Sequence, residues 1–273
     1  MESVFIIATI LYLLSCTGYL GYLFFQREPL QRMAMGLMLT GFVLHSIYLV
    51  VCGLRAGNFP VNNLHETLSV TAWAIAAVFL AFSWGYKLKI LGIYAAPLIS
   101  MTMVAAHHMP DTVAQDPRLF KSWWLAAHII TAFLGNAAFA LGGGLGLLYL
   151  LQENAIKKKI RGFFFSRLPS LELLDTTGYA CIVAGFSMIT IGLITGVIYA
   201  KAVWGRFWSW DPKEVWAAIT WLFYAALLHE RLTVGWRGRR AAIMAMVGFG
   251  VLLFTFFGVN FLLKGHHGTF TAM

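Results

Sequence analysis

Residues 4–25 run without one charged side chain, and seven further apolar stretches follow near 33–53, 67–85, 90–106, 123–150, 176–199, 214–229 and 241–263. A helix of about 20 apolar residues crosses a hydrocarbon core. In lipid every backbone N–H and C=O needs an internal partner, which leaves helices or closed barrels. The runs are continuous rather than alternating, and that selects helices. The expected fold class is therefore all-α: a polytopic integral membrane helical bundle of about eight transmembrane helices, forming a single membrane domain over 1–273. The first run lacks a basic leader and a small-residue cleavage site, so it reads as a retained span.

Composition agrees. Hydrophobic residues make up 60% of the chain and charged residues 11%, against about 25% charged in soluble domains. The net charge of +9 would suggest nucleic acid in a soluble protein. Here the basic residues lie between apolar runs, where membrane topology accounts for them. Cys16, Cys52 and Cys181 stand alone within or beside apolar segments, with no CxxC; they read as packing residues. Loop 152–172 sets Phe163, Phe164 and Phe165 among basic residues, the pattern of an interfacial segment.

Alternate loops divide the basic residues unequally. One set holds 13 of them, concentrated in 152–172 and 230–240, and the other holds 7, namely Arg55, Arg118, Lys121, Lys201, Arg206, Lys213 and Lys264. The richer set faces the cytoplasm. Both termini then lie outside, together with segments 54–66, 107–122, 200–213 and 264–273.

The unusual chemistry gathers on that outer side. Residues 204–216 contain four tryptophans, Trp204, Trp208, Trp210 and Trp216, together with Arg206, Asp211, Lys213 and Glu214. Tryptophan is enriched at membrane interfaces, which accounts for one or two indoles but not for the charges among them. Broad aromatic faces beside charged groups suit a flat amphipathic ligand, with Arg206 or Lys213 pairing its carboxylates. Haem has that form, and histidine is a common axial ligand to its iron.

Ionisable side chains within spans are expensive and point to function. By sequence position, His128 falls about one turn inside the outer end of the fifth span and His267 just past the outer end of the eighth, both at the depth of the tryptophan-rich loop. Two histidines from different helices can ligate one iron from opposite faces. His266 is the runner-up to His267. His229 lies towards the cytoplasmic end of the seventh span, where an inner site with one further histidine would sit. His45, near the middle of the second span, is the in-chain choice for that role, and its plainer reading is a helix-to-helix hydrogen bond. His65, His107 and His108 read as solvated loop residues.

The stretch WGRFWSWDPKEVWAAITWLFYAALLH, residues 204–229, closely resembles the tryptophan-rich WWD signature of the CcsA family, also called ResC, the haem-handling membrane subunit of the system II cytochrome c synthase. Residues 57–73, 123–128 (WWLAAH) and 260–267 (NFLLKGHH) resemble further segments of that family. The resemblance implies that loop 200–216 is an external haem-binding loop, with His128 and His267 as the outer axial ligands and His229 as a transmembrane ligand. It implies haem b as cofactor, a CcsB (ResB) partner that supplies the other transmembrane ligand, and apocytochrome c as protein substrate. Haem would cross the membrane and be presented outside for thioether attachment to CXXCH, in the bacterial cytoplasmic membrane or, alternatively, the thylakoid membrane. His65 stands where the family commonly has tyrosine, and the doubled His266–His267 replaces a single histidine. The alternative functions are a CcmC-like haem transporter without synthase activity and a b-type haem electron-transfer subunit.

Overall fold

In the computed structural model, residues 1–86, 89–110, 122–159, 162–163 and 165–259 are described. Eight α-helices follow one another: α1 Glu2–Phe25, α2 Glu28–Ala56, α3 Leu64–Tyr86, α4 Leu91–His107, α5 Trp123–Lys157, α6 Leu171–Trp204, α7 Pro212–Thr233 and α8 Arg239–Leu253, which runs on into a π-helical turn, Phe254–Gly258. No strand occurs among the described residues. Six helices are long and apolar enough to cross a membrane, and α4 is a shorter apolar helix. The eight apolar runs thus correspond to the eight helices, and the chain is a multi-pass membrane protein. At 1.5 Å per residue, the 35 residues of α5 and 34 of α6 each reach about 50 Å, well beyond a hydrocarbon core of about 30 Å.

Local chemistry sets the helix ends. Gln26 takes a left-handed conformation that closes α1, and a proline opens the first turn of α2. Gly57 and Gly205, with φ of 69° and 73°, close α2 and α6. Glycine bears that conformation without a Cβ clash. Ser170 caps α6, its hydroxyl accepting the Leu173 N–H.

The described chain forms two compact units. The first contains α1 to α4. Phe5, Tyr12, Tyr19 and Phe79 are fully buried in it. His45 is also fully buried and bridges three helices: its Nε2 lies 2.9 Å from Ser69 Oγ on α3, and its Nδ1 lies 3.4 Å from the Tyr12 hydroxyl on α1. The helix-to-helix hydrogen bond read from the sequence is present.

His65 differs from its sequence reading. Helix α3 begins at Leu64 rather than 67, because Asn63 accepts the Glu66 N–H while the Glu66 carboxylate reaches back to the Asn62 N–H at 2.7 Å. This reciprocal capping carries His65 onto the first helical turn. There it is half-buried, donates from Nδ1 to the Ala106 carbonyl at 2.8 Å and lies 3.4 Å from the Tyr48 hydroxyl. His107 and His108 are exposed at the end of α4.

The second unit contains the bulk of α5 and all of α6 to α8. Phe139, Ile182, Ile189, Tyr224, Leu227, Ala245 and Leu252 form its core, with the Phe139 and Tyr224 rings stacked 3.5 Å apart. Helices α5 and α8 approach so closely that a Cβ on Gly146 would stand 2.7 Å from the Ala242 carbonyl oxygen. At the end of the unit where α5 finishes, Arg231 of α7 makes a forked bond to Asp175 of α6 at 3.0 and 2.7 Å, and Asp175 also accepts the Gly238 N–H. Glu153 of α5 pairs with Arg239 and Lys157.

Candidate functional site

The opposite end of the second unit, where α5 starts and α6 finishes, carries the tryptophan-rich segment. Helix α6 rises 12 residues past Gly192 to Trp204, about 18 Å at helical rise. The chain then turns at Gly205, where the Lys201 ammonium donates to the Gly205 carbonyl at 2.8 Å and lies over the Phe207 ring.

Two carboxylates hold the segment that follows. Asp211 is buried and is the N-cap of α7, its Oδ1 accepting the Lys213 N–H at 2.9 Å. Glu214 Oε2 accepts the Ser209 N–H at 2.8 Å. Just before Asp211, Trp210 has φ of 59°, a left-handed conformation that costs a non-glycine residue about 1–3 kcal/mol. Its indole stands edge-on to Trp208, ring centroids 6.0 Å apart, and is 78% exposed. Trp204 packs against Tyr199, and Trp216 lies against Phe254 of the π-helical turn. Arg206 is exposed and Lys213 half-buried.

His128 lies in the second turn of α5 and is half-buried. Its Nδ1 is 2.7 Å from the Gly192 carbonyl oxygen of α6. A carbonyl only accepts, so Nδ1 carries the proton and the neutral ring keeps its lone pair on Nε2. Nε2 makes no hydrogen bond among the described residues. That is the state of an imidazole ready to bind a metal through Nε2. Lys213 stands in the first turn of α7, at the same end of the unit as His128.

His229 is exposed on α7, and its imidazole makes no hydrogen bond among the described residues. His266 and His267 lie outside the described residues. The structure therefore brings His128 to the tryptophan-rich end of its unit and sets His229 apart, two residues before the Arg231 anchor.

Because both ring nitrogens of His45 are engaged, replacing it with leucine should leave two buried hydroxyls without their partner. Each such loss costs about 1–3 kcal/mol, so we expect a lower unfolding temperature in detergent and unchanged haem content. A haem deficit matching that of His229→Ala would instead make His45 an iron ligand.

Sequence reasoning missed Gly192 and Gly196, which lie against the protonated nitrogen of His128, and Thr195, which shares the Gly192 carbonyl. The available signal was a row of small residues, Gly185, Gly192 and Gly196, on one face of α6, a pattern that lets membrane helices approach closely.

Comparison with known proteins defines the class. Residues 61–267 match the family model described as Cytochrome C assembly protein, and the chain belongs to the CcsA family of cytochrome c assembly proteins. It is 37% identical over 245 residues to the cytochrome c biogenesis protein CcsA of Prochlorococcus marinus (strain MIT 9515), covering 81% of this chain and 78% of that protein. It is 33% identical to the CcsA proteins of Synechococcus sp. (strain JA-2-3B'a(2-13)) and of Guillardia theta, covering 90% and 93% of this chain and 87% and 91% of theirs. This is a cytochrome c biogenesis protein, and its family implies handling of haem and involvement of apocytochrome.

Proposed function

We propose that the chain is the haem-handling subunit of the system II cytochrome c synthase. In this reading it takes haem b across the membrane and presents it on the outer side, for thioether attachment to the CXXCH segment of an apocytochrome c. The observation that carries the proposal is the state of His128, with Nδ1–H given to Gly192 and the Nε2 lone pair unpartnered at the end of the unit where the indoles are exposed. An imidazole donor at the same end of the unit as a broad aromatic surface fits an iron porphyrin.

The residues then divide the work. His128 and His267 are the outer axial ligands, with His266 as the substitute for His267. Trp204, Trp208, Trp210 and Trp216 supply apolar surface, and Arg206 or Lys213 pairs the propionates. Asp211 and Glu214 hold the loop in shape. His229 is the transmembrane ligand, and its second ligand comes from a CcsB (ResB) partner. The haem brings two vinyl groups, across each of which a cysteine S–H of the apocytochrome adds without oxidant. The chain's contribution is orientation, since well-aligned intramolecular reactions gain about 7–11 kcal/mol. The membrane is the bacterial cytoplasmic membrane, or the thylakoid membrane in the alternative.

Co-expression with a CcsB partner and a reporter apocytochrome tests the proposal. We expect covalent haem on the reporter only when both membrane chains are present, and a haem absorption band in the purified chain. Haem on the chain with none transferred to the reporter would make it a transporter instead. Reduction of that haem by quinol, again without transfer, would favour an electron-transfer subunit.

A further inference from the structure

The surroundings of His128 on α6 are built from three small residues. The Gly192 carbonyl accepts both the His128 Nδ1–H, at 2.7 Å, and the Thr195 hydroxyl, at 3.0 Å. Thr195 also donates to the Ile191 carbonyl at 2.9 Å. One turn further along α6, Gly196 lies against the imidazole itself. A Cβ there would stand 2.6 Å from Nδ1, 2.9 Å from Cε1 and 3.4 Å from Cγ. These are ring atoms near the base of a short side chain, so the ring could not stay where it is. Glycine at 196 leaves the space the ring fills, and the carbonyl at 192 fixes which nitrogen is protonated.

We propose that Gly196, Gly192 and Thr195 are positioning residues for the outer haem. Gly196 sets the place of the His128 ring, and the Gly192 carbonyl, shared with Thr195, sets how strongly Nε2 donates to the iron. The inference rests on the reading of His128 as an iron ligand. A hydrogen bond from the distal nitrogen of a ligating imidazole raises its basicity, and loss of such a partner costs about 10–100-fold in affinity or activity. A more basic axial imidazole favours ferric over ferrous iron, so the sharing of one carbonyl between Thr195 and His128 moderates the donor and holds the potential up.

Two variants of the full chain, purified with its CcsB partner, test this alongside His128→Ala. Gly196→Ala should lower haem bound per chain and cytochrome maturation about 10–100-fold, and free imidazole should restore both, because it reaches the iron without needing the cradle. Thr195→Val keeps the side-chain shape and removes the hydroxyl that shares the carbonyl with His128. It should retain haem and move the midpoint potential to a more negative value, a change that a packing role would not produce. Wild-type haem content in Gly196→Ala, or an unchanged potential in Thr195→Val, would overturn the proposal. Should Gly196→Ala fail to accumulate, the potential of Thr195→Val decides alone. Normal haem content in His128→Ala would remove the ligand reading itself. A deficit there, beside unaffected Gly196→Ala and Thr195→Val, would remove only the cradle.

Discussion

Replacing His128 with alanine is expected to reduce cytochrome c maturation on the order of 100-fold, with most of the activity returning on addition of imidazole. Loss of a residue that merely supports a metal ligand costs about 10–100-fold, and loss of the ligand itself should lie at or above the top of that range. Imidazole rescue separates a missing ligand from a misfolded chain. The variant also removes the His128 donor to the Gly192 carbonyl, but that carbonyl keeps the Thr195 hydroxyl, so no acceptor is left unpaired. The checks are the haem absorption spectrum and covalent haem on a reporter cytochrome. Full maturation without imidazole would remove His128 from the mechanism.

The second large effect is expected from the loop. In Asp211→Ala combined with Glu214→Ala, α7 loses its cap, worth about 1 kcal/mol, and the Ser209 N–H loses its acceptor, worth about as much again. Trp210 then has less to hold it in its left-handed conformation. Together, about 2 kcal/mol changes the ordered-to-disordered ratio of the loop by roughly 30-fold, and maturation should fall by up to that factor. Asp211→Asn with Glu214→Gln keeps an oxygen acceptor at both places and should retain most of the activity. If the amide pair lost as much as the alanine pair, negative charge rather than loop shape would be what these residues provide.

The helices were legible because lipid leaves so few choices. Apolar runs of span length predict helices directly, whereas the ends are set by residues such as Pro29, Gly57 and Gly205, which hydropathy alone does not weigh. His65 was misplaced because its helix starts on a local contest between Asn63, Glu66 and the backbone, which hydropathy does not register. At the candidate site, residue types were readable and their partners were not. Asp211 and Glu214 stand out in the sequence as charges among indoles, but that each carboxylate also holds the loop by accepting a backbone N–H is not legible there. The cradle around His128 could not be read, since it depends on which face of α6 meets α5, and a carbonyl has no signature in sequence. The helix-to-helix hydrogen bonds of His45 run to Tyr12 and Ser69 on the two neighbouring helices, α1 and α3, and which residues of those helices face it is not written in hydropathy.

The anchor at Arg231 bears on His229 through the pitch of the helix. Two residues along an α-helix is a rotation of about 200°. Arg231 is keyed inwards, held by the Asp175 fork and laid over the Tyr179 ring, so α7 has no freedom to spin about its own axis. His229 is thereby locked facing away from the interior of its own bundle. In the proposed reading of His229 as an iron ligand, the second ligand would then come from outside the helical unit that carries it.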